Sequence, residues 1–479
     1  MKRALLFILA VILTLSLSSC ITINIPTGQP GEGSTPAQTG DSGQDPGTTA
    51  ADEPDDPDEP EMTVRERIEA FDSTIEETVI FDGQGIRLTA KDLSYGNGTA
   101  YLKVKAENGT DEKLTFVAGS ALGSVNSVNG YMVGGGYVFQ SLEAGTDGEF
   151  ELRFGIDELI AYGIRNIAEI GIGFNVEREN YTNYLQTGPL YINTSVSDDY
   201  DCSLDSFERS MRKGVTPSVM DLSVLYSSGE DAADNAFIKV DNLYFTERSG
   251  EYFLLAEVVN KTGGYLNVSI DNIFINGLKA YEGSWYTCGV CAGKRNVFSI
   301  SLNEVLCAEY MEFLGIDSYD SITLSVTVRG DNLYEKLSSD PVSIQLTQKP
   351  SVSWSDVPGE VLYSGSNVTI KALGMLEDPS KFYDSVHVLL LAKNSNSFNV
   401  RISDSGETYV NGAEIGLIWS YSDVGPGEWA LIDIELYEGD LEDSGIGFSA
   451  IREVRIGLDI ENDDYDTLDE TEIVYKAFK

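Results

Sequence analysis

The chain has one histidine, His387, among 479 residues. A lone histidine sets aside Ser-His-Asp and Cys-His chemistry and multi-histidine metal sites, and inside the apolar run VHVLLLAK a structural place on a strand is expected. Cysteine is also scarce, at five residues. Basic residues are outnumbered, 32 against 77 acidic, for a net charge of −45. Such a surface repels nucleic acid and favours solvation, cations or basic partners. Beyond residue 20 no apolar run reaches 18 residues, so no spanning helix is expected there.

What is present divides the chain into parts. Residues 20–62 are rich in Gly, Pro, Thr and acid, and residues 32–61 hold ten acidic side chains and no basic one. Such a stretch cannot bury a core, and a disordered, self-repelling tether is expected. The remaining chain, with 42 % hydrophobic and 10 % aromatic residues overall, has enough apolar mass for several cores.

That remainder repeats itself. An apolar residue before Asn-Gly recurs as Val128-Asn129-Gly130, Ile275-Asn276-Gly277 and Val410-Asn411-Gly412. A glycine turn follows at Gly145, Gly293 and Gly427, 16, 17 and 16 residues after the asparagine. An alternating strand comes next (FELRF, VFSISL, ALIDIEL), then a 15-residue ending with glycine second, at Gly163, Gly315 and Gly447. Ordered landmarks at matched spacing mark an internal repeat. The boundaries are 63–198, 199–347 and 348–479.

Each repeat alternates apolar and polar residues with period two, as in Tyr101-Leu102-Lys103-Val104-Lys105, so one face enters a core and the other meets water. Turns fall at Asn108-Gly109, Lys261-Thr262-Gly263-Gly264 and Asn394-Ser395-Asn396. Short helical turns are expected over 157–162 and 303–314, the latter with Asn303 as N-cap. A linker helix over 203–213 would present Leu204, Phe207 and Met211 on one face. The expected fold is mostly β: three tandem immunoglobulin-like antiparallel β-sandwich domains after the acidic linker.

Catalytic look-alikes fail on context. Gly40-Asp41-Ser42-Gly43 lies in the tether, and Lys261-Thr262-Gly263 occupies the repeat position of the Asn108-Gly109-Thr110 turn. Cys202, Cys288, Cys291 and Cys307 are candidate disulfide partners with three pairings open, and the Cys288/Cys291 spacing sits in a turn rather than at a helix N-terminus. Zinc on these four cysteines would rest on a single CxxC, and no metal or other cofactor is expected. The acidic stretch 461–472 reads as an edge loop without EF-hand register. Tyr137, Trp285 and Trp419 recur eight, nine and eight residues after the asparagines. They are expected as core plugs, or else as exposed stacking platforms for sugar or peptide.

The N-terminus carries an address. Lys2 and Arg3 precede an apolar stretch of 14 residues, 4–17, followed by Leu17-Ser18-Ser19-Cys20. This resembles the lipobox of bacterial lipoproteins, and the repeat pattern resembles the tandem sandwiches of Gram-positive surface lipoproteins. The resemblance implies removal of residues 1–19, a lipid on Cys20, and a folded part outside the cytoplasm at the cell surface. A non-enzymatic binding or adhesion module for an envelope glycan or protein is the expected function. The alternatives are a spacer without ligand and a carboxylate-based hydrolase.

Overall fold

The computed structural model describes residues 62–119, 125–330, 335–347, 352–377, 385–418 and 421–476. The expectations placed on residues 1–61, Cys20 included, lie outside them. None of the helices among the described residues is long and apolar enough to cross a membrane.

The chain is mostly β and built from antiparallel sheets packed face to face. Alternation does this directly. In the strand Thr99–Asn108, Ala100, Leu102, Val104 and Ala106 are buried while their neighbours look outward. Leu102 and Val104 pair with Leu152 and Phe150 on the strand Asp147–Gly155, so one face of the pair is continuously apolar. In repeat 3 the first layer runs Glu360–Gly365, Val368–Glu377, Val386–Asn394 and Trp429–Leu436, and the second is built on Val400–Val410, Glu453–Asn462 and Thr467–Lys476. Repeat 2 has the same order. In repeat 1 the second layer is split in two, because its long strands break into pairs such as Leu114–Ala118 with Ser127–Val128 and Glu169–Ile172 with Asn175–Arg178.

The Asn-Gly landmarks are hairpin turns with both residues at positive φ: 48° and 89° at Asn129-Gly130, 52° and 77° at Asn276-Gly277, 50° and 87° at Asn411-Gly412. Asparagine and glycine are the residues that tolerate this type I′ geometry. The asparagine side chain also reaches across each sandwich to the start of the strand that follows the helix. Asn129 Oδ1 accepts the backbone N–H groups of Ala168 and Glu169, and Nδ2 donates to Asn166 O at 2.8 Å. Asn276 does the same with Asp320, Ser321 and Ser318, and Asn411 with Arg452, Glu453 and Ala450. A second buried asparagine, Asn108, Asn260 or Asn394, pins the other end of each repeat. Its Nδ2 donates to the carbonyls of Leu142 and Glu112, of Val290 and Gly264, or of Val424 and Phe398.

The structure re-aligns one landmark. Helices Ile156–Ala161, Ala308–Leu314 and Glu438–Asp443 end at Gly163, Gly315 and Gly445, each at positive φ. The equivalent glycine of repeat 3 is therefore Gly445, not Gly447. Repeat 3 carries two extra residues there, wound into the 3-10 turn Phe448–Ala450 before the Asn411 contact. Asn303 is likewise not an N-cap. It lies inside the helix Leu302–Val305, whose N-cap is Ser301, and its Oδ1 accepts the N–H of Tyr252.

Repeats join by one recurring contact. The residue after Asn-Gly pairs in parallel with the next repeat's strand just past its glycine turn: Tyr131 with Arg295, and Leu278 with Trp429. The linker helices belong with repeat 1. Phe207 and Met211, on the helix Phe207–Arg212, are part of its core, so that core extends beyond residue 198.

Candidate anion-binding cleft

The residues singled out in sequence do not converge. Tyr137 is 63 % exposed beside the exposed Phe139, which overturns its core-plug reading. Trp285 lies on the strand Leu278–Val290, and Trp419 lies outside the described residues. No disulfide joins any two of Cys202, Cys288, Cys291 and Cys307, so the candidate pairings are not formed. Among the described residues no three His, Cys, Asp or Glu side chains gather as a metal-binding group. In the stretch 461–472, Asn462 closes the hairpin through Asp464 and Asp466. His387 is structural, at the contact of repeats 2 and 3: its Nδ1 lies 2.8 Å from Asp433 Oδ1 and 3.0 Å from the hydroxyl of Tyr310.

A different site forms at the end of repeat 1, where four helical segments meet. The helix Val64–Glu69 opens with a capping box: Glu66 N donates to Thr63 Oγ1, and the Thr63 N–H donates to Glu66 Oε2 at 2.8 Å. Arg65 pairs with Glu69. Arg67 lines the cleft that this helix forms with the end of Ile156–Ala161 and with the helices Phe207–Arg212 and Val215–Met220. Gly163 is needed at the crossing, since a Cβ there would come within 2.6 Å of the Ser206 carbonyl.

The cleft encloses about 100 Å³. Arg67, Arg165, Arg209 and Lys213 line it, and none of its 14 lining residues is acidic. Phe71, Ile160, Ile164, Leu204 and Val215 supply its apolar wall. Two of the cations are held in place: the Arg165 guanidinium stacks on Tyr200 at 5.7 Å, and Arg209 Nη1 donates to Leu204 O at 3.2 Å. Arg67 and Lys213 make no ion pair among the described residues. The chain's net charge is −45, yet the lining of this cleft carries four cations and no carboxylate.

Behind the cleft lies the joint between repeats 1 and 2. Asp205 is fully buried, accepting from Tyr200 Oη at 2.5 Å and Asn129 Nδ2 at 2.9 Å. Burial pushes its carboxyl up from 3.8 to about 6. Beside it Glu257, also raised by burial, accepts from Tyr131 Oη at 2.6 Å and from the Phe207 N–H. Arg295 completes the cluster, donating to Asp205 O and lying 5.3 Å above the Tyr131 ring.

A carboxyl with a raised folded-state pKa is bound more tightly by a proton in the fold than in the unfolded chain. Stability therefore increases as pH falls from about 7 towards 4, the window between the folded value near 6 and the unfolded value near 3.8. Calorimetry should show a higher Tm for the repeat 1–2 unit at pH 5.5 than at pH 7.5, and Asp205→Asn should reduce the difference.

No family model and no curated relative matches the sequence. Among solved structures, the exo-chitosanase CsxA of Amycolatopsis orientalis is similar over 49 % of this chain and 26 % of its own length, at 11 % identity and TM-score 0.15. A protein of unknown function from Porphyromonas gingivalis W83 is similar over 48 % of this chain and 92 % of its own, at 12 % identity and TM-score 0.14. The chain thus spans about a quarter of the chitosanase it matches.

Proposed function

We propose that the chain is a lipid-anchored, extracytoplasmic, non-enzymatic binding module that recognises an anionic, partly apolar segment of an envelope partner at the helical end of repeat 1. The observation that carries this reading is the cleft formed by Arg67, Arg165, Arg209 and Lys213, set in a strongly acidic chain. Guanidinium groups bind carboxylates through paired N–H donors, and the apolar wall alongside suits an acidic peptide better than a bare inorganic ion. Lipid on Cys20 supplies the address and the sandwiches supply the rigid support.

Two measurements test this. Cys20→Ala should move the protein from the membrane fraction to the soluble one, and retention in the membrane would contradict the anchor. A peptide array should show saturable binding of acidic peptides that weakens with salt, with neutral peptides silent. A spacer would bind none of them.

A further inference from the structure

We propose that the acidic run at residues 52–61, DEPDDPDEPE, docks in this cleft in cis and acts as a resident competitor for the ligand. The inference rests on the cleft's being an anion site, as proposed above, and adds how that site is regulated.

Charge and position select this occupant. The ten residues hold seven carboxylates, three prolines and no base. Met62, the next residue, itself lines the cleft, so the run begins at its mouth. Extended chain spans at most about 3.6 Å per residue, which leaves Asp58 within roughly 14 Å of Met62 and makes loop closure cheap. Arg67 and Lys213 face the cleft without an ion pair among the described residues, and Arg165 and Arg209 are already held in place by Tyr200 and the Leu204 carbonyl. The prolines match the apolar wall and restrict the backbone before binding, which lowers the entropy lost on docking.

A segment tied so closely acts at an effective concentration on the order of millimolar. An external acidic ligand must displace it, and its apparent affinity falls accordingly. Because these contacts are partly exposed ion pairs, salt weakens the docked state.

The test uses the full mature chain carrying Cys20→Ala. In the first arm, a carbodiimide couples neighbouring amines and carboxylates in an equal mixture of ¹⁴N- and ¹⁵N-labelled protein. Mass spectrometry should find Lys213 joined to the 52–61 peptide with a single isotope label. A mixed-label product, or no such product, overturns docking in cis. In the second arm, the seven acids are neutralised (Asp52→Asn, Glu53→Gln and likewise through Glu61) and the synthetic peptide DEPDDPDEPE is titrated. The neutralised chain should bind it about tenfold more tightly than the unaltered one. Equal binding by both chains overturns the docking while leaving the cleft as an anion site. Failure of both to bind overturns the cleft reading as well.

Discussion

Arg295→Met should lower the unfolding free energy of the joined repeats 1 and 2 by about 3–5 kcal/mol at pH 8, read from chemical denaturation. The substitution keeps much of the side-chain volume and removes the charge. Glu257, 3 % exposed, is then left with only neutral donors, Tyr131 Oη and the Phe207 N–H, and the Asp205 carbonyl loses its donor. Breaking a buried pair from one side is costly because the remaining charge is neither solvated nor neutralised. Burial raises the Glu257 carboxyl, so the loss should shrink as pH falls and the group takes up a proton. Arg295→Lys should recover little, since an ammonium cannot lie flat over Tyr131 while also reaching the Asp205 carbonyl. Glu257→Gln combined with Arg295→Met should cost less than the sum of the two single changes.

Asn394→Asp, an almost isosteric change, should destabilise repeat 3 by about 2–4 kcal/mol, read as a lower urea midpoint. Asn394 is 1 % exposed, and its Nδ2 donates at 2.8 Å to both Val424 O and Phe398 O. An aspartate fits the space but brings an oxygen where those two carbonyls need a donor. Its other oxygen still accepts the Asn396 N–H, so the turn itself is spared and the loss reports on the cross-links. The same change at Asn108 or Asn260 should act alike, because each holds the same pair of carbonyl contacts in its own repeat. An unchanged midpoint would mean that these asparagines only shape turns.

The legible parts of the fold were those written locally. Asn-Gly at matched spacing announces a hairpin because few other residues accept positive φ at both positions, and all three landmarks form that turn. The alternation in Thr99–Asn108 announces a half-buried strand, and Phe207 with Met211 announces a helix face that docks on a core. The parts that were not legible depend on distance. Nothing near Asn129 in sequence says that its amide will meet Ala168 and Glu169. The repeat-3 ending could not be aligned by its glycine alone, because a two-residue insertion moved Gly447 into the position that looked equivalent.

The site was hidden for the same reason. Arg67, Arg165, Arg209 and Lys213 are scattered over three stretches of chain, each with acidic neighbours that mask it in any local charge count. Only the packing of the entry helix and the linker helices against repeat 1 gathers the four. A weak signal was present in the basic residues of the linker itself, where Arg209, Arg212 and Lys213 fall within five positions of an otherwise acidic chain. Tyr137 failed as a core residue because it lies just before the strand Val138–Leu142 and is exposed with Phe139, leaving Val138 and Leu142 to face the core.

The most direct test is a calorimetric titration of poly-L-glutamate into the full mature chain with Cys20→Ala and the acids of 52–61 neutralised, with and without Arg67→Glu and Lys213→Glu. Neither position makes an ion pair among the described residues, so the reversal leaves the known contacts of the fold intact. Saturable binding that falls with rising salt, and that drops by more than tenfold in the reversed variant, is the predicted result. Absent binding, or an affinity unchanged by the reversal, would contradict the assignment of the cleft as an anion site.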